Sequence, residues 1–246
     1  MPEHWEWGEF GGFKHPNALR YEAALAIANG AGCCVGDQLH PDGRMDPATY
    51  ALIGEAYEEL EKKEPWLKGA QVLADVAVFS QESAENYYKG KNFETGQTGT
   101  ADAGCTRILL EGKYLFDVID ADAKLERYEV VILPDNIRLD EALRERFQMY
   151  LDQGGKLLLS GTSGLMAGKP DRFGLKLGIC YVGESEFSPA YIVPHFSPKP
   201  FLPTSFLING RIQKIENLSG REIAHIENPY FNRTVEHFSS HAHAPG

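Results

Sequence analysis

The apolar positions of the first quarter of the chain fall twice into helical register. Tyr21, Ala24, Leu25 and Ala28 recur at spacings of three and four, which predicts a helix with Asn17 of His15-Pro16-Asn17 as its N-cap and Asn29-Gly30 as its end. The run Ala31-Gly32-Cys33-Cys34-Val35-Gly36 then reads as a short strand buried on both faces, breaking off at the polar cluster Asp37-Gln38-Leu39-His40-Pro41. A second helix follows, with Asp46 as cap, Pro47 at its first position and Tyr50, Ile53, Tyr57 and Leu60 as its apolar stripe. Glu58 with Lys62 and Glu59 with Lys63 form i,i+4 pairs on its wet face. Helix, buried strand, polar strand end and helix are a fragment of an α/β barrel or a doubly wound sheet, with a boundary at Pro65–Gly69.

The rhythm beyond that boundary is again β–α. Strands are expected at 72–79, 116–119, 129–133 and 156–159. A polar loop with a short helix is expected over 82–100, and a helix over 101–114. A further helix capped by Asp140 turns Leu143, Phe147, Tyr150 and Leu151 inward and ends at Gly154-Gly155. Short links between such units imply a parallel sheet covered by helices. From about residue 175 proline and aromatic residues rise, and stretches such as Phe206-Leu207-Ile208 and Arg211-Ile212-Gln213 point to β structure.

Composition narrows the function classes. At 246 residues, 43% hydrophobic and 24% charged, the chain is long enough for one large or two modest domains. Its net charge of -11 argues against nucleic acid and anionic membrane as partners and suits a neutral ligand such as a sugar. Trp5, Trp7 and Trp66 lie in the first third, where rings either stack on sugars or fill a core. Cys33, Cys34, Cys105 and Cys180 show no metal-ligand spacing; they read as small buried residues of a reducing, cytoplasmic protein without metal or cofactor. No apolar run approaches a membrane span, and residues 1–12 do not read as a signal peptide.

Three stretches carry a family resemblance. His4-Trp5-Glu6-Trp7-Gly8-Glu9-Phe10-Gly11-Gly12, Ala28-Asn29-Gly30-Ala31-Gly32 and Gly36-Asp37-Gln38-Leu39-His40-Pro41-Asp42-Gly43 resemble the last barrel unit of bacterial glycosidases, in particular the family 151 α-L-fucosidase group, itself similar in architecture to family 42 β-galactosidases. Residues 128–165, with Tyr128–Pro134 and Gly154–Leu159, resemble the glutamine-amidotransferase-like trimerisation domain that follows the barrel there, and Pro229–Thr234 and His237–His241 resemble the same relatives. The resemblance implies an α/β fold in three parts. Residues 1–68 are the remnant of a (β/α)8 barrel, 69–215 a flavodoxin- or amidotransferase-like parallel-sheet domain that is structural and oligomerising, and 216–246 the start of a β-rich segment. It also implies truncation at both ends and an apolar patch around residues 17–36.

Such an enzyme cleaves a glycosidic bond between two carboxyl groups at the carboxyl ends of barrel strands. The resemblance places Glu6 and Glu9 after strand seven and Asp37 and His40 after strand eight. Glu9 is the catalytic candidate, at a position where the family pattern more often has Asp. His4, Trp7, Asp37, Gln38 and His40 are the candidate sugar-binding residues. The competing reading makes Glu6 a solvated charge, Asp37 a turn cap and His40 a neighbour packed on Pro41. The partner acid is absent, so this chain alone is not expected to hydrolyse substrate. For the second domain, Gly161-Thr162-Ser163-Gly164 is an incomplete nucleophile elbow, because Leu165 stands where glycine is wanted. Cys105 can in principle be activated by a helix N-terminus but reads as a buried small residue. Gly96–Gly99 lacks the lysine of a phosphate loop, and the spacing of His237, His241 and His243 is too irregular for a metal site. The expectation is therefore a retaining glycosidase acting through two carboxylates. The alternative is a non-catalytic binding or assembly module.

Overall fold

The computed structural model describes residues 12–37, 39–84, 100–197 and 203–229. The chain divides between Leu73 and Ala74 into two units.

In the first unit, α1 (Pro16–Ala28) packs against α2 (Pro47–Leu67). Both begin with proline, whose missing N–H costs nothing in a first turn. Asp46 caps α2 by accepting the Ala48 N–H at 3.0 Å. The cap of α1 is His15, not Asn17: its Nδ1 accepts the Asn17 N–H at 3.2 Å. The buried face of α1 is also rotated from the expected one. Leu19 and Ala23 meet α2, while Tyr21 and Leu25 are 67% and 48% exposed. On α2, Ala56 and Leu60 are buried. Arg20 ties the pair together, its guanidinium reaching Glu55 at 2.9 Å and Glu59 at 3.6 Å. Both expected i,i+4 pairs form, Lys62–Glu58 at 2.8 Å and Lys63–Glu59 at 2.6 Å. The predicted strand at 31–36 is irregular chain: Cys34 is exposed and Cys33 half-buried, with its carbonyl accepting the Tyr57 hydroxyl at 2.8 Å. A strand exists only through its ladder, and among the described residues no neighbouring strand pairs with this run. Trp66 is 77% exposed rather than core.

The second unit is a parallel sheet followed by antiparallel pieces. Strands β1 (Val76–Phe79), β2 (Phe116–Ile119), β3 (Val130–Leu133) and β4 (Lys156–Leu159) lie in the order β2-β1-β3-β4, all parallel. This is the winding of flavodoxin-type sheets. Helix α3 (Thr100–Glu111) lies on one face and α4 (Glu141–Asp152) on the other. Alternation decides which residues each helix covers. Ala77, Phe79, Val131 and Leu133 face α4, where Phe147 meets Phe79 edge-to-face at 5.3 Å. Val118, Val78, Ile132 and Leu158 form one row across the other face. Leu109 of α3 seals the middle two, whereas Val118 and Leu158 at the sheet edges are 55% and 56% exposed. Asp140 caps α4 as expected, accepting the Leu143 N–H at 2.8 Å.

After β4 come the pair β5 (Leu165–Met166) and β6 (Lys169–Phe173), then β7 (Ile179–Glu184), β8 (Ala190–Pro194), β9 (Phe206–Ile208), β10 (Gln213–Asn217) and β11 (Ala224–Glu227). They form antiparallel sheets of order β10-β7 and β11-β8-β9. The chain is thus mixed α/β, with a parallel four-stranded sheet and a β-rich remainder.

Candidate functional site

In the first unit the candidate site is the loop between α1 and α2. Of the residues proposed from sequence, His4, Trp7, Glu9 and Gln38, with Glu6, lie outside the described residues. Asp37 and His40 are described, and both side chains are exposed. The His40 N–H donates to the Arg44 carbonyl at 3.1 Å and the Gly43 N–H to the His40 carbonyl at 2.8 Å, which closes a tight turn. Gly43 sits at φ +81°, where glycine is favoured. Asp42 organises the turn. One of its oxygens accepts the Arg44 backbone N–H at 3.2 Å, and the other accepts Arg44 Nε at 2.6 Å and the neighbouring guanidinium nitrogen at 2.6 Å. The Arg44 contacts hold the Asp42 carboxyl below its usual range, with His40 adding a smaller pull in the same direction. An open depression of about 580 Å³ is lined by His40, Pro41, Asp42, Arg44, Met45, Asp46 and Pro47. Asp42 and Arg44 were not singled out from sequence. Their signal was the Asp-Gly pair, which reads only as turn chemistry. The turn presents an imidazole, a fixed carboxylate and a guanidinium together, a donor and acceptor set suited to sugar hydroxyls.

In the second unit the carboxyl ends of the parallel strands are the place where such sheets bind ligands. Asp135, just past β3, has φ +42°. Ser160, just past β4, donates its hydroxyl to Asp135 Oδ1 at 2.7 Å and accepts the Asp135 N–H at 3.0 Å. The Asp135 carbonyl takes the Thr162 N–H at 2.6 Å and the Thr162 hydroxyl at 3.0 Å. Asp102 of α3 accepts the Gln81 N–H at 2.9 Å. Burial raises its carboxyl against the lowering effect of hydrogen bonds from Gln81 and Ser80.

These contacts tie the strand ends together, and among the described residues they leave no activated nucleophile. Ser163 is 1% exposed and its Oγ accepts the Ile137 N–H at 3.0 Å. Burial pushes the Cys105 thiol up, helped by Asp102 and Asp135, the opposite of an activated thiolate. Among the described residues no histidine is hydrogen-bonded to Ser163 or Cys105, and no three His, Cys, Asp or Glu side chains gather as a metal cluster. His237, His241 and His243 and the segment Gly96–Gly99 lie outside the described residues. No described helix is long and apolar enough to cross a membrane.

Residues 107–172 match the model of the beta-galactosidase trimerisation domain. Among solved structures, alpha-L-fucosidase isoenzyme 2 from Paenibacillus thiaminolyticus is 46% identical to the chain, with a TM-score of 0.83 over 97% of this chain and 36% of the fucosidase. The beta-galactosidase from Rahnella sp. R3 is 20% identical, with a TM-score of 0.67 over 92% of this chain and 38% of that protein. That from Bacillus circulans sp. alkalophilus is 19% identical, with a TM-score of 0.68 over 93% and 38%. These two share the fold. The chain therefore resembles the fucosidase and the β-galactosidases over nearly all of its own length, and spans little more than a third of theirs. No curated protein matches the chain.

Proposed function

We propose that the chain is part of a glycoside hydrolase, α-L-fucosidase-like before β-galactosidase-like, in which the first unit contributes to the sugar site and the second assembles the enzyme. The observation that carries this is the 46% identity to the Paenibacillus fucosidase over 97% of the chain. The 19–20% identity to the β-galactosidases supports their fold and no more. In this reading residues 1–68 belong to the substrate barrel, 69–215 to the assembly domain and 216–246 to a further β segment. The turn at His40–Arg44, with Asp37, meets sugar hydroxyls, and His4, Trp7, Glu9 and Gln38 are the further residues that the family resemblance assigns to the site. Glu9 is one of the two carboxyl groups of a double displacement, and the second comes from outside this chain. Neither metal nor cofactor takes part. A cytoplasmic location accords with four unpaired cysteines.

The assembly role rests on the trimerisation-domain match and on what that segment exposes. Ile108, Leu115, Val118 and Leu158 all lie within 107–172 and are 55–71% exposed. Val118 and Leu158 stand at the two edges of the sheet face that α3 leaves uncovered, and exposed apolar side chains in such number suit an interface. The alternative, a non-catalytic binding or assembly module, draws on the absence of a paired nucleophile and base in the described part of the second unit.

The test is to purify the natural gene product that contains this chain and assay it on aryl α-L-fucosides and aryl β-D-galactosides. Cleavage of the fucoside is expected, with Glu9→Gln lowering kcat by about 100-fold or more. Cleavage of the galactoside alone would move the assignment to the second family. Turnover of neither would leave the assembly module.

A further inference from the structure

One pair of side chains lies apart from both candidate sites. His195 directly follows β8, and its N–H continues the ladder to β11 by donating to the Ile223 carbonyl at 2.8 Å. His225 lies within β11, diagonal to it. The rings are 5.1 Å apart and tilted by 36°, with His195 Nε2 and His225 Nδ1 separated by 2.9 Å. What surrounds the other two ring nitrogens decides what those facing atoms carry. His195 Nδ1 is 3.4 Å from the Glu222 carbonyl oxygen, and His225 Nε2 is 3.7 Å from Glu227 Oε1. A carbonyl oxygen only accepts, so Glu222 favours a proton on His195 Nδ1, whereas the Glu227 carboxylate lies at ion-pair range, beyond hydrogen-bond reach of His225 Nε2. A neutral imidazole has a single N–H. His195 Nε2 therefore keeps a lone pair, and at 2.9 Å the facing nitrogens are at hydrogen-bond distance, so that a cation bound by both rings takes the place of the one N–H between them.

We propose that His195 and His225 form a two-imidazole site for a divalent transition-metal ion, copper(II) above all, which clips the end of β8 to β11. The outer contacts are those that orient metal-bound histidines: a backbone carbonyl for one ring and a carboxylate for the other. Metal–nitrogen bonds of about 2.0–2.1 Å spanning the observed separation meet at roughly a right angle. That is the cis arrangement of tetragonal copper(II) or nickel(II), narrower than a tetrahedral ion prefers, and copper(II) heads the affinity order of divalent ions at nitrogen sites. Both imidazoles are solvent-accessible, so water completes the coordination.

The experiment titrates copper(II) calorimetrically into the full chain carrying His237→Ala, His241→Ala and His243→Ala, with electron paramagnetic resonance of the complex. One ion per chain is expected, with hyperfine coupling from two nitrogens. His195→Ala and His225→Ala should each weaken binding at least tenfold and remove one nitrogen from the spectrum, and Glu227→Gln should weaken it several-fold. His195→Asn and His225→Asn serve where an alanine variant loses its circular dichroism. Affinity and nitrogen count unchanged in the histidine variants would overturn the site. So would loss of all binding in the triple-substituted chain while the wild-type chain still binds.

Discussion

Asp135 adopts the left-handed backbone conformation that, glycine apart, asparagine and aspartate tolerate best, and three neighbours hold it there: Ser160, Thr162 and Gly161. Gly161 matters through absence. At φ +55°, a Cβ on it would lie 2.7 Å from the Asp135 carbonyl oxygen. Gly161→Ala should therefore destabilise the second unit by at least about 1–2 kcal/mol from the left-handed backbone alone, read as a lower urea midpoint. Asp102 provides a pH test with a definite sign. Burial raises its carboxyl above the ordinary 3.8, so the folded chain keeps the proton at pH values where the unfolded chain has lost it. The group costs nothing below that value and opposes folding increasingly as pH rises through the window above it. Asp102→Asn keeps an acceptor for the Gln81 N–H and removes the charge. The stability of wild type minus that of the variant should fall as pH increases from about 4; a difference independent of pH would show that the carboxyl does not titrate abnormally.

At the scale of elements, the cap of α4 is the simplest case. Asp140→Ala removes the acceptor of the Leu143 N–H and should cost about 1 kcal/mol by denaturant unfolding. This cap was legible in the sequence, as were strands 116–119 and 156–159, because Gly112-Lys113 and Gly154-Gly155 punctuate the chain just before them. The face of α1 was not legible. Its residues Pro16–Ala28 are apolar nearly all round, so spacing alone cannot choose between Tyr21 with Leu25 and Leu19 with Ala23; packing against α2 chooses the second pair. The run at 31–36 fails as a strand for a related reason. Small apolar residues permit a buried strand, but only hydrogen-bonding neighbours make one. At the candidate site, Asp37 and His40 were visible as polar residues beyond an apolar run. The Asp42–Arg44 lock was hidden, because a carboxylate and a guanidinium two positions apart meet only when the intervening turn is tight.

Over the whole molecule the two units differ in how much they bury. In the described part of the first, Leu19, Ala23, Ala56 and Leu60 are the buried apolar residues, whereas the second centres on Phe79, Val131, Leu133, Ile137, Leu139 and Phe147. Few buried contacts mean low free energies of local opening. Amide hydrogen exchange of the isolated chain should therefore be faster in α1 and α2 than in β1, β3 and α4; equal protection would require a covering surface for Tyr21 and Leu25. Assembly is tested separately. Sedimentation should give a species larger than one chain, and Val118→Glu with Leu158→Glu should reduce it to the single chain while the circular dichroism is retained. A monomer in the wild type would remove the assembly role from the isolated chain.

The junction between the units has a practical consequence. From Lys68 to Leu73 every residue is exposed, and Lys68 offers a cleavage point in chain that is neither helix nor strand. Proteases need such an accessible stretch to seat a substrate. Brief trypsin treatment should nick here and release a carboxyl-terminal piece of the chain that retains its parallel sheet, ready for crystallisation or for mixing experiments with the helical pair it leaves behind.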